Sequence, residues 1–377
     1  MEDRETIGIV GGGQLGRMLT LAALPLGFRV VVINPTPNSP AAQVGAEELV
    51  ADLYDPSALA KLAEQSDYIT VEIEHLDTKT LDMLASRGAQ INPAPKTIKL
   101  IQDKFLQKKF LRNASLPVAP FMKIDNKASA MKALDDFGGK MLIKSRHGAY
   151  DGRGNMLVRN NSDLAKALKT FAGQALYAEA YINFDKELAV SVAKSTGGNT
   201  AIYPVVETIH QRNICIEVLA PARISQKQQQ TAQKMALKTI KLLDGAGVFT
   251  IEMFLTNDGQ VLINEIAPRV HNSGHYTIEA SRTSQFEQHI RAIAGLPLGD
   301  VSMAAPAAVM VNILGEKNGP TRLTGLKTAL SEPSVNVHIY GKFPTKVDRK
   351  MGHITATGKS LAEVRKRARL ARKQLSI

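Results

Sequence analysis

The chain has 377 residues, 44% hydrophobic and 22% charged, a composition typical of a globular protein with two or three domains; no apolar run reaches the roughly 18–20 residues that span a bilayer. Its single cysteine, Cys215, excludes an intrachain disulfide or a multi-cysteine metal site, and with no signal-peptide pattern we expect a cytoplasmic protein without a membrane partner. The formal net charge of +12 raises the question of nucleic acid, but half of it lies in the segment 359–377, which has no aromatic residue, so we expect no nucleic-acid partner.

Strand and helix patterns alternate over the first hundred residues. Apolar runs predict strands at 7–10, 28–34, 68–74 and 89–93, and helical periodicity predicts helices at 14–26, 58–65 and 78–88. Strands separated by helices of about ten residues are typical of right-handed βαβ units. We therefore expect a parallel sheet with a ligand site at the carboxyl ends of its strands.

A glycine-rich turn, "TIGIVGGGQLGRML", follows the first strand and has Gly11, Gly13 and Gly16 at the spacing of a dinucleotide fingerprint. That fingerprint also needs an acidic residue at the end of the second strand to bind ribose hydroxyls. The second strand ends at "INP", residues 33–35, without a carboxylate. The turn is therefore predicted to bind a ligand other than NAD, with Gln14 able to hydrogen-bond it.

The rest of the chain is richer in strand pairs. The proline-bounded segment 92–121 predicts an amphipathic helix at a domain boundary, and 225–245 predicts a helix that Ser225 caps and Gly245 ends. Strand–turn–strand units are predicted at 140–158, 175–195, 200–218 and 247–269. Short strands are predicted at 307–314, 335–341 and 351–358.

The last segment predicts a basic helix. Apolar residues recur there at helical spacing, at Leu361, Val364, Ala368 and Ala371. We therefore expect its Lys and Arg side chains to lie on the solvent face, where they would also attract an anionic small substrate.

Two lysines and a glycine-rich stretch suggest a nucleoside triphosphate site without a P-loop, since no GxxxxGK[ST] sequence occurs. Lys104 lies on a predicted helix, and Lys144 follows an apolar run, where a lysine either reaches solvent or meets an anion. The stretch "HGAYDGRGN", residues 147–155, is either a flap whose N–H groups close over phosphates or a plain hairpin turn.

A pair of carboxylates predicts a magnesium site. Glu252 and Glu265 lie on two strands joined by a short hairpin and are expected to face each other. Apposed carboxylates among apolar neighbours repel unless a cation lies between them, and Mg²⁺ bound by carboxylates and substrate phosphates supplies one. Asn264, beside Glu265, adds a neutral ligand or a hydrogen bond.

The loop "APRVHNSGHY" concentrates donors directly after the second of these strands, at Arg269, His271, Asn272, Ser273 and His275. So many donors in one loop suit a small oxyanion. Zinc is the competing hypothesis, but no cysteine or further histidine supports it in the sequence.

These features together resemble the ATP-grasp superfamily. The motifs "GGGQLGRM", "GAYDGRGN", "ETIHQRN", "NEIAPRVHNSGH" and "DRKMGHI", in this order from about residue 6 to residue 375, resemble the 5-(carboxyamino)imidazole ribonucleotide synthases within it. The resemblance implies an α/β protein with the ATP-grasp fold. A Rossmann-like domain (1–100), a two-lobed ATP-grasp domain (101–292) and a small mixed α/β domain (293–377) are expected.

The resemblance also implies the ATP and metal sites. Glu252 and Glu265 would hold Mg²⁺ or Mn²⁺. The ATP-binding residues would be Lys104, Lys144, Ala149, Tyr150, Asp151, Gly152, Arg153, Gly154, Asn155, Glu179, Ala180, Tyr181, Ile182, Glu187, His210, Asn264 and Glu265. Glu179 to Ile182 would form the adenine-side linker, and Glu187 would bind the ribose.

The resemblance further implies two more substrates, bicarbonate and aminoimidazole ribonucleotide. Arg269 and His271 would bind bicarbonate. The ribonucleotide would contact Gly13, Gln14, Leu15, Glu72, Glu74, Tyr150, Asp151, Arg153, Asn272 and Ser273, and its phosphate would meet Lys342 and Arg349. Which of the two strand glutamates contacts the substrate stays open, because both point to one face of their strand.

The implied reaction is ATP- and bicarbonate-dependent carboxylation of the exocyclic amine through carboxyphosphate, in purine biosynthesis, with Arg269, His271, Asp151 and Lys144 as catalytic residues. Either carboxyphosphate or CO₂ released from it in a closed site would carboxylate the amine. Asp151 either accepts the amine proton or only positions the substrate. Two residues depart from the family pattern, Ala149 in place of a glycine and Val270 in place of a proline. Another ATP-grasp ligase and a non-catalytic nucleotide-binding module are the alternatives, and a homodimer is the family expectation.

Overall fold

The computed structural model describes residues 4–148 and 154–377. The first strands are β1 (Thr6–Val10), β2 (Arg29–Asn34), β3 (Glu47–Val50) and β4 (Tyr68–Val71), and the first helices are α1 (Gln14–Ala23), α2 (Pro56–Glu64) and α3 (Thr78–Ser86). The strands form the expected parallel sheet, in the order β3-β2-β1-β4. Helix α1 packs on one face of it, and α2 and α3 pack on the other.

Three details of this sheet differ from the prediction. The strand predicted at 89–93 is reduced to one bridge, between Ile91 and Ile69, because Pro93 has no N–H to extend a ladder. Strand β3 lies at the sheet edge without a buried residue, so it has no apolar run to reveal it. Strand β4 ends before Glu72.

The helix predicted at 92–121 is two helices, α4 (Pro95–Gln102) and α5 (Lys104–Asn113). Between them Asp103 has extended backbone, and its carboxylate accepts hydrogen bonds from two N–H groups at the start of α5. Because an N-cap needs non-helical backbone, Asp103 ends one helix and begins the next. The same carboxylate pairs with Arg146 and so ties α5 to the second sheet.

The second sheet is antiparallel. Its strands are β5 (Phe121–Ile124), β6 (Met141–Ser145), β7 (Asn155–Val158) and β8 (Leu176–Ala180), and its helices are α6 (Lys127–Asp136) and α7 (Asn161–Thr170). The order is β5-β8-β6-β7, and both helices pack on one face. The hairpin predicted at 140–158 is confirmed as the pair β6–β7.

The third sheet contains β9 (Phe184–Lys194), β10 (Thr200–Ile202), β11 (Val206–Gln211), β12 (Ile214–Ala220), β13 (Gly247–Thr256), β14 (Val261–Ala267), β15 (Ala307–Leu314), β16 (Val335–Ile339) and β17 (Lys350–Gly358). Its order is β14-β13-β9-β11-β12-β15-β17-β16, with β10 paired to β9. The helices are α8 (Gln226–Lys241), which Ser225 caps, α9 (Thr277–Ala280), α10 (Gln285–Ile293), α11 (Leu326–Ala329) and α12 (Leu361–Gln374). This sheet includes strands from both sides of residue 292, where the ATP-grasp domain was expected to end, because β12 pairs with β15.

The basic helix α12 buries Val364, Ala368 and Ala371 against this sheet, as expected. Its charges, however, are not all on the solvent face. Arg365 and Arg369 both pair with the buried carboxylate of Glu217 on β12. In the described part of the chain no helix is long and apolar enough to cross a membrane.

Candidate active site

The glycine turn after β1 is filled by a carboxylate of the chain itself. Glu72 accepts hydrogen bonds from the N–H groups of Gly13, at 2.5 Å, and Gly16, at 2.6 Å. A Cβ atom at Gly11 would lie 2.3 Å from Cγ of Glu72, so only glycine allows this approach. The N-terminus of α1, where a dinucleotide pyrophosphate would bind, therefore holds the carboxyl group of a side chain instead.

Glu74 has a different partner from Glu72. Its two carboxylate oxygens accept hydrogen bonds from Arg269, at 2.6 and 3.1 Å, and both side chains are largely buried. Burial by itself would raise the pKa of Glu74, but the neighbouring guanidinium lowers it to about 2. Glu74 thus stays ionised and fixes the orientation of Arg269.

The depressed pKa of Glu74 predicts a pH-dependent stability. Its folded-state pKa, about 2, lies below the ordinary 4.5, so the stabilisation is complete above pH 4.5 and is lost as the pH falls toward 2. Between pH 5 and pH 3 we expect this group to contribute a loss of about 2 kcal/mol. Urea unfolding of the parent and of Glu74→Gln at both pH values measures it. Equal pH dependence in the two proteins would contradict the assignment.

The expected carboxylate pair is present on the third sheet. Glu252 on β13 and Glu265 on β14 are direct register partners, beside a β-bulge. Burial and the charge of Glu265 raise the pKa of Glu252 to about 7. Lys104 contacts Glu265, and His271 Nε2 lies 3.4 Å from Glu252 Oε1. Half-buried Asn264 precedes Glu265 on β14.

Lys144 meets an anion rather than solvent. Its Nζ atom lies 3.2 Å from the buried carboxylate of Glu179, and Nζ of Lys108 lies 3.2 Å from the other oxygen. Burial opposes ionisation, but the two lysines hold the pKa of Glu179 below its ordinary value. Lys108 was not predicted; its position four residues after Lys104, on one helix face, was the available clue.

The remaining residues predicted for the nucleotide are spread over β7, β8, β9 and β11. His210 Nδ1 lies 3.2 Å from Glu187 Oε2. Burial would lower the pKa of His210, but Glu187 raises it above its ordinary value. Beyond Glu179, Ala180 ends β8, Ile182 is half-buried, and Tyr181 is exposed with the Lys140 ammonium 3.5 Å from its ring centroid.

The flap falls largely outside the described residues. Predicted members there are Ala149, Tyr150, Asp151, Gly152 and Arg153. Next to them the carbonyl oxygen of Gly154 accepts a hydrogen bond from the N–H group of Ser145, and Asn155 begins β7.

The loop after β14 is held by hydrogen bonds to α10 and β15 and by one within the loop. Gln285 bonds the backbone N–H and carbonyl of His271, and Asn272 exchanges amide hydrogen bonds with Asn312 at 2.6 and 3.0 Å. The His271 ring bonds the Ser273 hydroxyl at 2.9 Å. Burial, with the charges of Arg269 and Lys350, holds the pKa of His271 well below its usual range, so this imidazole is neutral.

The two basic residues predicted to bind the ribonucleotide phosphate, Lys342 and Arg349, have different surroundings. Burial raises the pKa of Glu72, and the charge of Lys342 opposes that rise, so Lys342 lies near the glycine turn. Arg349 donates to the carbonyl oxygen of Pro344 at 2.8 Å, within its own loop. Of the glycine turn itself, Gln14 is half-buried and Leu15 is buried.

Charges from all three sheets therefore meet in one region. The charge of Glu74, beside the first sheet, acts on Arg269, and that of Glu265, on the third sheet, acts on both Arg269 and Glu252. Glu265 also acts on Lys108, which pairs with Glu179 of the second sheet. A region that combines paired carboxylates, buried lysines and an oriented arginine suits a polyphosphate with a divalent cation beside a small oxyanion.

Comparison with known proteins agrees with this arrangement. Family models match at residues 4–102 (ribonucleotide synthetase preATP-grasp domain), 109–286 (ATP-grasp domain) and 308–367 (phosphoribosylaminoimidazole carboxylase C-terminal domain). Phosphoribosylaminoimidazole carboxylase of Ogataea methanolica is 44% identical over 97% of the chain, which covers 68% of that relative. N5-carboxyaminoimidazole ribonucleotide synthase of Brucella melitensis is 39% identical over 93% of the chain and 95% of the relative.

A solved structure of a similarly named enzyme has the same fold as this chain. The N5-carboxyaminoimidazole synthase of Aspergillus clavatus, in complex with ADP and 5-aminoimidazole ribonucleotide, superposes with a TM-score of 0.91 at 37% identity. The match covers 98% of each chain.

Proposed function

This chain belongs to the N5-carboxyaminoimidazole ribonucleotide synthase family of ATP-grasp ligases, and from that premise we propose how its residues divide the reaction between them. The enzyme carboxylates the exocyclic amine of 5-aminoimidazole ribonucleotide with ATP and bicarbonate, in purine biosynthesis. The observation that carries the assignment of roles is the meeting of the Glu252–Glu265 pair, the buried lysines and Arg269 in one region.

ATP is proposed to bind between the second and third sheets. Lys104 and Lys144 would exchange their present carboxylate partners, Glu265 and Glu179, for phosphate oxygens. Glu187 and His210 would bind the ribose side, and residues 179–182 the adenine side.

Mg²⁺ or Mn²⁺ is proposed to bind at Glu252 and Glu265. The fit rests on the donor set: burial, together with the repulsion between the two apposed carboxylates, raises the pKa of Glu252 to about 7, and a divalent cation would relieve that repulsion. When bound, the ion would neutralise phosphate charge during phosphoryl transfer.

Bicarbonate is proposed to bind at Arg269, with neutral His271 beside it. Arg269 is held by Glu74, so its orientation is set before the anion arrives. An oxygen of bicarbonate attacks the γ-phosphorus of ATP, ADP leaves, and carboxyphosphate forms. The amine nitrogen then bonds to the carboxyl carbon, phosphate leaves, and the amine loses a proton, with Asp151 as the proposed acceptor.

The ribonucleotide is proposed to bind along the glycine turn, near Glu72, with its phosphate at Lys342 and Arg349. The hydrogen bonds of Asn272 with Asn312 on β15 and of Ser273 with His271 support a preformed wall for this substrate.

A homodimer is also part of the proposal. The exposed apolar side chains of Leu21, Leu24 and Leu26 support it, and light scattering, which measures the mass of the particle in solution, tests it. The proposed location is the cytoplasm.

The test of this function is ADP release by the purified protein with Mg-ATP and bicarbonate, with and without 5-aminoimidazole ribonucleotide. We expect release to depend on the ribonucleotide. Nucleotide binding without a response to the ribonucleotide would favour another ATP-grasp ligase, and other amines would then serve as substrates in the same assay.

A further inference from the structure

A cluster of metal-ligating side chains lies next to the candidate active site and has no part in the proposed reaction. It consists of Glu279 on α9, His338 on β16 and His353 on β17. One ligand atom from each residue lies within 4.8 Å of the other two. We refer to these three residues as the Glu279–His338–His353 cluster.

The polar atoms of this cluster are incompletely satisfied. Oε1 of Glu279 lies 2.5 Å from Nε2 of His338, which is its ion-pair partner among the described residues. Oε2 of Glu279 and Nε2 of His353 are buried and have no hydrogen-bond partner within residues 4–148 and 154–377. Since buried polar atoms in native proteins are nearly always paired, two such atoms in one cluster indicate a missing partner.

The second nitrogen of His353 has the partner that a metal-bound histidine needs. His353 is fully buried, and its Nδ1 atom lies 2.9 Å from the hydroxyl oxygen of Tyr340, which is also buried. The tautomer in which Nδ1–H donates to the Tyr340 hydroxyl leaves a lone pair on Nε2, the nitrogen that needs a partner.

We propose that Glu279, His338 and His353 bind one Zn²⁺ ion, with water as the fourth ligand. Two imidazoles and one carboxylate are a ligand set that zinc accepts, whereas the all-oxygen pair Glu252–Glu265 suits a harder cation. Ligand atoms around tetrahedral zinc lie about 3.3 Å apart, so side-chain rotations that move the ligand atoms by about 1 Å would bring them to zinc-binding distances. His338 is 30% exposed and provides the path by which the ion enters.

The ion would join two segments that carry proposed substrate residues. Glu279 follows the loop that contains Arg269 and His271, and His338 and His353 bracket the segment that contains Lys342 and Arg349. Zinc would therefore stabilise the mutual position of these two segments without touching substrate.

The experiment uses the full-length protein, freed of metal with a chelator, without nucleotide or magnesium. Zn²⁺ binding is measured by calorimetry, and Co²⁺ is then added as a spectroscopic probe. We expect each chain to bind one Zn²⁺ with a Kd of about 1 μM or lower. Co²⁺ should give the absorption bands of a tetrahedral nitrogen–oxygen site, and zinc should raise the Tm of the protein.

Variants separate this site from the others. Glu279→Gln and His338→Asn are expected to weaken zinc binding at least about 100-fold, and Tyr340→Phe about 10- to 100-fold. Glu265→Gln, in the proposed magnesium site, and His147→Asn, an exposed histidine, should bind zinc like the parent. Equal zinc affinity in parent, Glu279→Gln and His338→Asn, or loss of binding in Glu265→Gln alone, would overturn the proposal. If Glu279→Gln does not fold, Tyr340→Phe decides.

Discussion

Glu265→Gln is expected to abolish ribonucleotide-dependent ADP release, with kcat lower by at least about 100-fold. The amide keeps the shape of the side chain but removes the charge that would hold the divalent cation, and it also removes the partner of Lys104. Loss of an outer hydrogen-bond partner of a metal site already costs 10- to 100-fold, so loss of a direct ligand should cost more. Steady-state ADP release at saturating ATP and Mg²⁺ measures the effect.

Glu64→Gln is the matched control, because Glu64 is an exposed carboxylate on α2 and undergoes the same chemical change. We expect it to turn over like the parent. Circular dichroism should show that both variants are folded. Parental activity in Glu265→Gln would exclude Glu265 as a metal ligand.

Arg269→Met is expected to destabilise the protein by about 3–5 kcal/mol as well as to inactivate it. The substitution leaves the carboxylate of Glu74 buried without its partner, and breaking one side of a buried ion pair has this cost. The midpoint of urea unfolding at pH 7 measures the loss of stability, and ADP release measures the loss of activity.

The double variant Arg269→Met/Glu74→Leu separates the two effects. With both charges replaced by apolar side chains of similar size, most of the stability should return. Activity should not return, because the proposed bicarbonate site needs the guanidinium. Recovery of both stability and activity would mean that Arg269 is only structural.

Much of the fold could be predicted from short-range patterns. The alternation of strands and helices predicted the N-terminal parallel sheet, the Ser225 cap predicted the start of α8, and the turn between β13 and β14 predicted that pairing. The short turn between these strands also predicted that Glu252 and Glu265 face each other, since a short turn determines the register of the two strands it joins.

Other features had no local pattern. Asp103 divides a region of continuous helical periodicity, because its carboxylate caps one helix and also pairs with Arg146. Strands β8 and β9 are neighbours in the chain but belong to different sheets. Nothing in the local sequence distinguishes Lys108 from a surface lysine, yet it is buried against Glu179. Glu217 pairs with two arginines of a helix whose charged side chains were all expected on the solvent face.

The sequence by itself determined the local elements, the family and the residue types available for phosphate, cation and anion binding, because caps, turns and periodicity act over a few residues. Only the tertiary structure decided which partners these residues take. The glycine turn donates hydrogen bonds to Glu72, which lies 59 positions from Gly13, and Arg269 pairs with Glu74, 195 positions away. The physical reason is that burial makes an unpaired charge costly, so a buried charge is stabilised by whichever opposite charge or donor the fold brings beside it, at any separation along the chain.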